Sequence, residues 1–113
     1  VFRLFDELTQ KTVLFTADME MPLEQALLQK YCPRRVYEKK CPALEADVLK
    51  VGHHGSETST SGDFLLAVHP KQAVISVGKR NRFGHPSLRV IRRLERSSIK
   101  ILRTDREGAI VID

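Results

Sequence analysis

Apolar and polar residues alternate in short blocks along the chain, and the blocks switch between strand-like and helical period. Val1–Phe5 and Thr12–Thr16 are rich in aliphatic, aromatic and β-branched residues and flank the polar stretch Asp6–Lys11, which predicts an antiparallel hairpin. Pro22 then stands where a helix can begin, because its missing N–H does no harm in a first turn. Leu23, Ala26 and Leu27 fall at helical spacing and predict a helix over Pro22–Tyr31 with those residues inward. Cys32–Glu45 reads as a polar, basic loop, and Ala46–Val51 as a short strand that runs into Gly52-His53-His54-Gly55-Ser56.

Six of the seven residues from Ser56 to Gly62 are Ser, Thr or Gly, which marks a loop. Ser61 is placed to cap a helix over Gly62–Val68. Ala73–Val77 reads as a buried strand and Gly78–Gly84 as a basic loop bounded by glycines. Pro86–Arg96 reads as a helix with Leu88, Ile91 and Leu94 inward, and Ile99–Arg103 and Ala109–Ile112 as strands around a turn at Asp105–Gly108. Strand and helix thus alternate in the second half. The expected fold class is α/β, a layered β-sheet with covering helices. Nothing repeats, and no linker divides the chain, so residues 1–113 read as a single domain.

Composition agrees with a packed core: 42% of the 113 residues are hydrophobic and 29% charged, which excludes a disordered chain. No apolar run reaches the roughly 20 residues of a membrane helix, and no signal-peptide pattern opens the chain. Its first residues, Val-Phe-Arg-Leu-Phe, have the character of a strand, as in a fragment of a longer protein. The formal net charge is +5, so nucleic acid, acidic lipid and phosphate polymers are all plausible partners. Charge bears on association and not on fold, and a domain that is merely basic would look the same. Cys32 and Cys41 fit no zinc-binding spacing, and the sequence favours free thiols or a dispensable bridge.

Four groups of candidate functional residues fall just beyond predicted strand ends, where layered α/β proteins place their sites. Asp18 follows the second strand. Its two oxygens can serve two cations, or it can cap a helix. His53 and His54 are adjacent, so one can face a metal while the other faces a substrate. They also fit two surface histidines in a loop. Gly55 and Ser56 allow close backbone approach and offer donors to an anion. Lys79, Asn81 and Arg82 lie in the basic loop and can meet phosphates, or be solvated. His85, between Gly84 and Pro86, occupies the expected N-cap of the next helix, where its ring can touch a phosphate or simply pack. Arg89, Arg92, Arg93 and Arg96 form a basic stripe that reads as solvated surface first and a nucleic-acid track second.

Four segments, taken in order, carry a resemblance to a known family. Residues 46–61, ADVLKVGHHGSETSTS, and residues 75–86, ISVGKRNRFGHP, resemble two blocks of the metallo-β-lactamase domain of ComEC-type competence proteins. Residues 103–110, RTDREGAI, resemble that domain's final hairpin, and residues 13–18, VLFTAD, resemble a strand that usually ends Thr-Gly-Asp. The resemblance implies the C-terminal half of a metallo-β-lactamase (αββα) fold, with the N-terminal half missing. It implies up to two divalent metals, zinc or manganese, in the intact domain. Asp18 then matches a bridging carboxylate, His54 a ligand of the second metal and His53 the histidine that meets the scissile phosphate. Lys79, Asn81, Arg82 and His85 would position the strand. The implied activity is a nuclease acting on DNA, single-stranded above all, during transformation. The implied setting is a soluble domain of a bacterial inner-membrane transporter, on a side the sequence does not give, with the rest of that transporter as partner.

Two departures bear on this. The family's main metal motif belongs to the N-terminal half, and no such cluster occurs in this chain. A catalytic zinc takes three protein ligands, so Asp18 and His54 alone imply weak or no metal binding and no turnover by this chain by itself. Ala17 stands in place of the usual glycine. With half a fold missing, one sheet or helix face should be under-covered, which favours self-association or marginal stability. A DNA-binding lobe without catalysis, and a hydrolase of another phosphodiester, are the competing functions.

Overall fold

The computed structural model describes residues 1–33 and 41–112. Strands β1 (Phe2–Asp6) and β2 (Lys11–Phe15) form the expected antiparallel hairpin, with Phe2 opposite Phe15 and Asp6 opposite Lys11. Strands β3 (Val48–Lys50), β4 (Gln72–Ile75) and β5 (Lys100–Arg103) follow in parallel, giving one mixed sheet in the order β1-β2-β3-β4-β5. Each parallel step needs a crossover. Helices α1 (Met21–Tyr31), α2 (Gly62–Val68) and α3 (Leu88–Arg96) supply them. The α/β layering is therefore as expected.

The register fixes which side chains share a face. Leu14, Leu49, Ala73 and Ile101 are in-register neighbours, and with Ile75 they pack with Leu28, Phe64, Val68, Val90 and Leu94 of the helices. The opposite face carries Phe2, Leu4, Val13, Phe15, Val74 and Leu102. Phe2 is 60% exposed and Phe15 41%. One face of the sheet is thus under-covered, as expected for a chain that buries only part of its apolar surface.

Several boundaries and faces differ from expectation. In α1 the buried residues are Glu24 and Leu28, while Leu23 is half exposed. The cause is polar: Glu24 is 1% exposed, and its oxygens accept from the backbone N–H groups of Thr60 (2.7 Å) and Ser61 (2.8 Å). Bringing that carboxylate inward turns Leu23 and Ala26 outward. In α3 Leu94 is buried and Ile91 packs half-buried against the core as expected, Val90 joins them, and Leu88, the first residue of the helix, is exposed. Ser87, not His85, caps α3, its hydroxyl accepting from the N–H of Arg89. The expected last hairpin is absent among the described residues. Thr104–Glu107 forms a single helical turn, α4, and residues 109–112 form no strand. Glu107 reaches back to accept from the N–H of Arg103, and Arg103 forks onto Asp105, which curls the chain at the end of β5. Cys32 and Cys41 are joined in a disulfide, Cα–Cα 5.5 Å, rather than being free thiols. The middle of the Cys32–Glu45 loop, residues 34–40, lies outside the described residues. No helix among them is long and apolar enough to cross a membrane.

Replacing Glu24 by Ala strands one buried and one half-buried backbone donor. The expected loss is about 2 kcal/mol, read as a lower urea midpoint at unchanged slope. A loss below about 0.5 kcal/mol would show that these donors find other partners.

Candidate metal and phosphate site

Three loops meet at the C-terminal ends of β2, β3 and β4. The first, Thr16–Glu20, follows β2. The second, Gly52–Ser61, follows β3. The third, Val77–Ser87, follows β4. Glycines let the backbones touch. A Cβ on Gly52 would stand 2.6 Å from the carbonyl oxygen of Met19, and one on Gly55 2.7 Å from Cβ of Pro86. Backbone bonds tie the seams: His53 N–H donates to Ala17, Met21 N–H to Thr58, and Ser87 N–H to Gly55. The hydroxyl of Ser59 donates within the second loop to Gly52 and Ser56.

His54 is the best defined group. Its Nδ1 lies 2.7 Å from the carbonyl oxygen of Ser76. A carbonyl only accepts, so Nδ1 carries the proton and Nε2 carries the lone pair. That lone pair faces Asp18 Oδ1 at 3.6 Å. Two acceptors aimed at one another leave room for a positive charge between them, a proton or a cation. Two ligands of one tetrahedral zinc stand about 3.4 Å apart, so the pair fits two corners of a metal site. The Ser76 carbonyl fixes the tautomer as an outer-shell partner does. Among the described residues, no cluster of three or more His, Cys, Asp or Glu could hold a metal ion.

His53 points elsewhere. Its Nδ1 is 2.8 Å from Glu20 Oε1, a close pairing that lies off the hydrogen-bond axis and leaves that nitrogen without an aligned partner. Its ring is 5.7 Å from that of His85 and 6.3 Å from that of His54. His85 continues the row onto Phe83, whose ring lies 5.8 Å away at 21°. Burial first, and then the neighbouring His53 and His54, push the His85 pKa below its ordinary value. Lys50, at the end of β3, is partly buried. Burial lowers its pKa, and the charge of Asp18 opposes that shift.

Of the residues expected to form a site, Asp18, His53, His54 and His85 converge. Lys79 and Arg82 are exposed in the third loop. Asn81 is occupied with its own loop: its amide donates to the carbonyls of Gly78 and His85 and accepts from the N–H of His85. Ser56 is 6% exposed; its N–H donates to His53 and its hydroxyl pairs with Thr58. Both residues thus hold loops rather than reach outward. Glu20, Lys50 and Phe83 escaped the sequence reading. Glu20 is two residues from Asp18, and that proximity was its only signal. Ala17 has φ +50°, a left-handed conformation that glycine adopts without strain and alanine does not. This is a physical reason for a glycine before the aspartate.

The fold and the site together define an α/β domain with a histidine–carboxylate centre at its strand ends. In sequence it is related to competence proteins. It is 43% identical over 97 residues to ComE operon protein 3 of Bacillus subtilis, covering 86% of this chain and 11% of that protein. It is 42% identical over 98 residues to competence protein ComA of Neisseria gonorrhoeae, covering 87% and 13%. It is 34% identical over 104 residues to recombination protein 2 of Haemophilus influenzae, covering 92% and 12%. The chain thus spans about a tenth of the length of the relatives it matches. No family model matches the chain, and no solved structure does.

Ala17→Gly is expected to raise stability by about 1 kcal/mol by removing left-handed strain, measured by thermal or urea unfolding; no gain would mean the alanine is not strained. An NMR titration is expected to place the His85 midpoint below the ordinary 6.5. The sign follows from linkage: with the folded pKa lowered, the unfolded chain binds the proton more readily. The His85 contribution to stability is then complete above about pH 6.5 and declines as pH falls through the folded value. A midpoint at or above 6.5 would contradict the packing described.

Proposed function

We propose that this chain is the C-terminal part of a metallo-β-lactamase-type phosphodiesterase domain that cleaves DNA during uptake in transformation. The observation that carries the reading is the locked His54 ring, whose free nitrogen faces the Asp18 carboxylate at a separation suited to one cation. The names of the competence relatives support the setting, and the net charge of +5 suits a polyanion. The rest of the parent membrane protein is the proposed partner, and the open sheet face, with Phe2 and Phe15, is where its other half-domain packs.

Asp18 and His54 would hold a divalent metal, zinc or manganese, with the remaining ligands from the other half-domain. The chemistry such a group supplies when bound is polarisation of a phosphoryl oxygen and activation of water. The Ser76 carbonyl keeps the His54 proton on Nδ1, so Nε2 stays available. Glu20 lies against Nδ1 of His53, and the Nε2 of that ring would contact the phosphoryl oxygen or protonate the leaving oxygen. Lys50 sits beside Asp18 and offsets its charge. Lys79 and Arg82 neutralise flanking phosphates.

The intact protein is expected to cleave single-stranded DNA with manganese, and His54→Ala to reduce the rate on the order of a hundredfold with DNA binding retained. Unchanged cleavage in that variant would overturn the reading. A second reading, a DNA-binding lobe without turnover, is favoured by the lack of a third ligand among the described residues. It predicts salt-dependent DNA binding that survives both His54→Ala and chelator, with no cleavage by the intact protein.

A further inference from the structure

We propose that Phe83 is a stacking platform for an unpaired nucleobase, and that it makes the chain prefer single strands. This rests on the nucleic-acid reading above and adds a residue that the phosphate contacts do not include.

Phe83 is 80% exposed, in a chain with only five phenylalanines and two tyrosines. Leaving a large ring in water forgoes burial worth roughly 1.5–3 kcal/mol, and the fold does nothing to hide it. The loop around it is held in place. Asn81 bonds to Gly78 and to both backbone groups of His85, so the ring is held outward by a pinned turn. One ring neighbour is His85, centroids 5.8 Å apart at 21°, an offset-stacked arrangement. His85 leads on to His53 at 5.7 Å. The rings of Phe83, His85 and His53 thus form a row that ends at the candidate centre.

Around this row the charges are positive. Lys79, Arg80 and Arg82 are exposed in the same loop, and none has a carboxylate within 4.0 Å among the described residues. Arg89, Arg92 and Arg96 are exposed and likewise unpaired along α3, whereas Arg93 is committed to the carbonyl of Thr60. An aromatic face flanked by cations is the arrangement that binds single strands: bases stack on the ring and phosphates meet the cations. In a paired duplex the base faces are already stacked, so the platform has nothing to take. An acidic lipid surface also suits a ring among cations. The ring's alignment in a row leading to the site, rather than on a broad apolar belt, favours the base.

Because the chain contains no tryptophan, Phe83→Trp introduces a unique fluorophore at an exposed position. Titration with an oligothymidylate is expected to quench it. An abasic oligonucleotide of equal length and charge should bind more weakly and leave the emission unchanged. Phe83→Ala is expected to weaken oligothymidylate binding on the order of tenfold, the loss of one stack, and to leave abasic binding unaltered. If the unsubstituted chain binds both strands equally and Phe83→Ala changes neither, the stacking proposal fails while the nucleic-acid reading stands. If neither strand binds, both fail. An indole that responds to phosphatidylglycerol vesicles but to neither oligonucleotide would overturn the proposal in favour of a membrane surface.

Discussion

The two oxygens of the buried Glu24 carboxylate hold the backbone N–H groups of Thr60 and Ser61, and the site depends on that contact. Asp18 lies six residues before Glu24, and His54 six residues before Thr60. The clasp therefore sets how the loop after β2 lies against the loop after β3. Arg93 takes the carbonyl of Thr60, so the same peptide is gripped from α1 and from α3. A buried carboxylate is costly unless its oxygens are satisfied, and here backbone donors satisfy them. The same bond explains the rotation of α1, which exposes Leu23 and buries a charged residue.

Beyond that clasp the site is made by close approach. Gly52 meets the Met19 carbonyl and Gly55 meets Pro86 with no room for a side chain. His53 and His54 both take left-handed backbone angles between them, so the two rings leave the turn in different directions. One is locked onto Ser76 and faces Asp18; the other lies against Glu20 and His85. Adjacent residues thereby acquire separate surroundings, one between a carbonyl and a carboxylate, the other between a carboxylate and a second imidazole.

The elements were legible because their signals are local. The hairpin, the Ser61 cap on Gly62–Val68 and the strand over β4 all appear where short-range propensity and capping place them. The failures share a physical origin. The inward face of α1 and the curl at α4 are each set by a hydrogen bond rather than by hydrophobic period. For α1 the partner lies 37 residues away. The sequence left a bridge and free thiols both open for Cys32 and Cys41, because a nine-residue separation says nothing about whether two Cα atoms return to 5.5 Å.

By itself, then, the sequence determined the α/β alternation and the candidates Asp18, His53, His54 and His85, since strand-end loops and their residue types can be read from adjacent positions. Only the tertiary structure decided that Asp18 and His54 face one another, that Glu20 accompanies His53, and that Phe83 stands open at the end of a row of rings. The reason is that parallel strands bring together loops that lie far apart along the chain. Which side chains meet there is settled by sheet register and glycine contacts, and neither is written in any one segment.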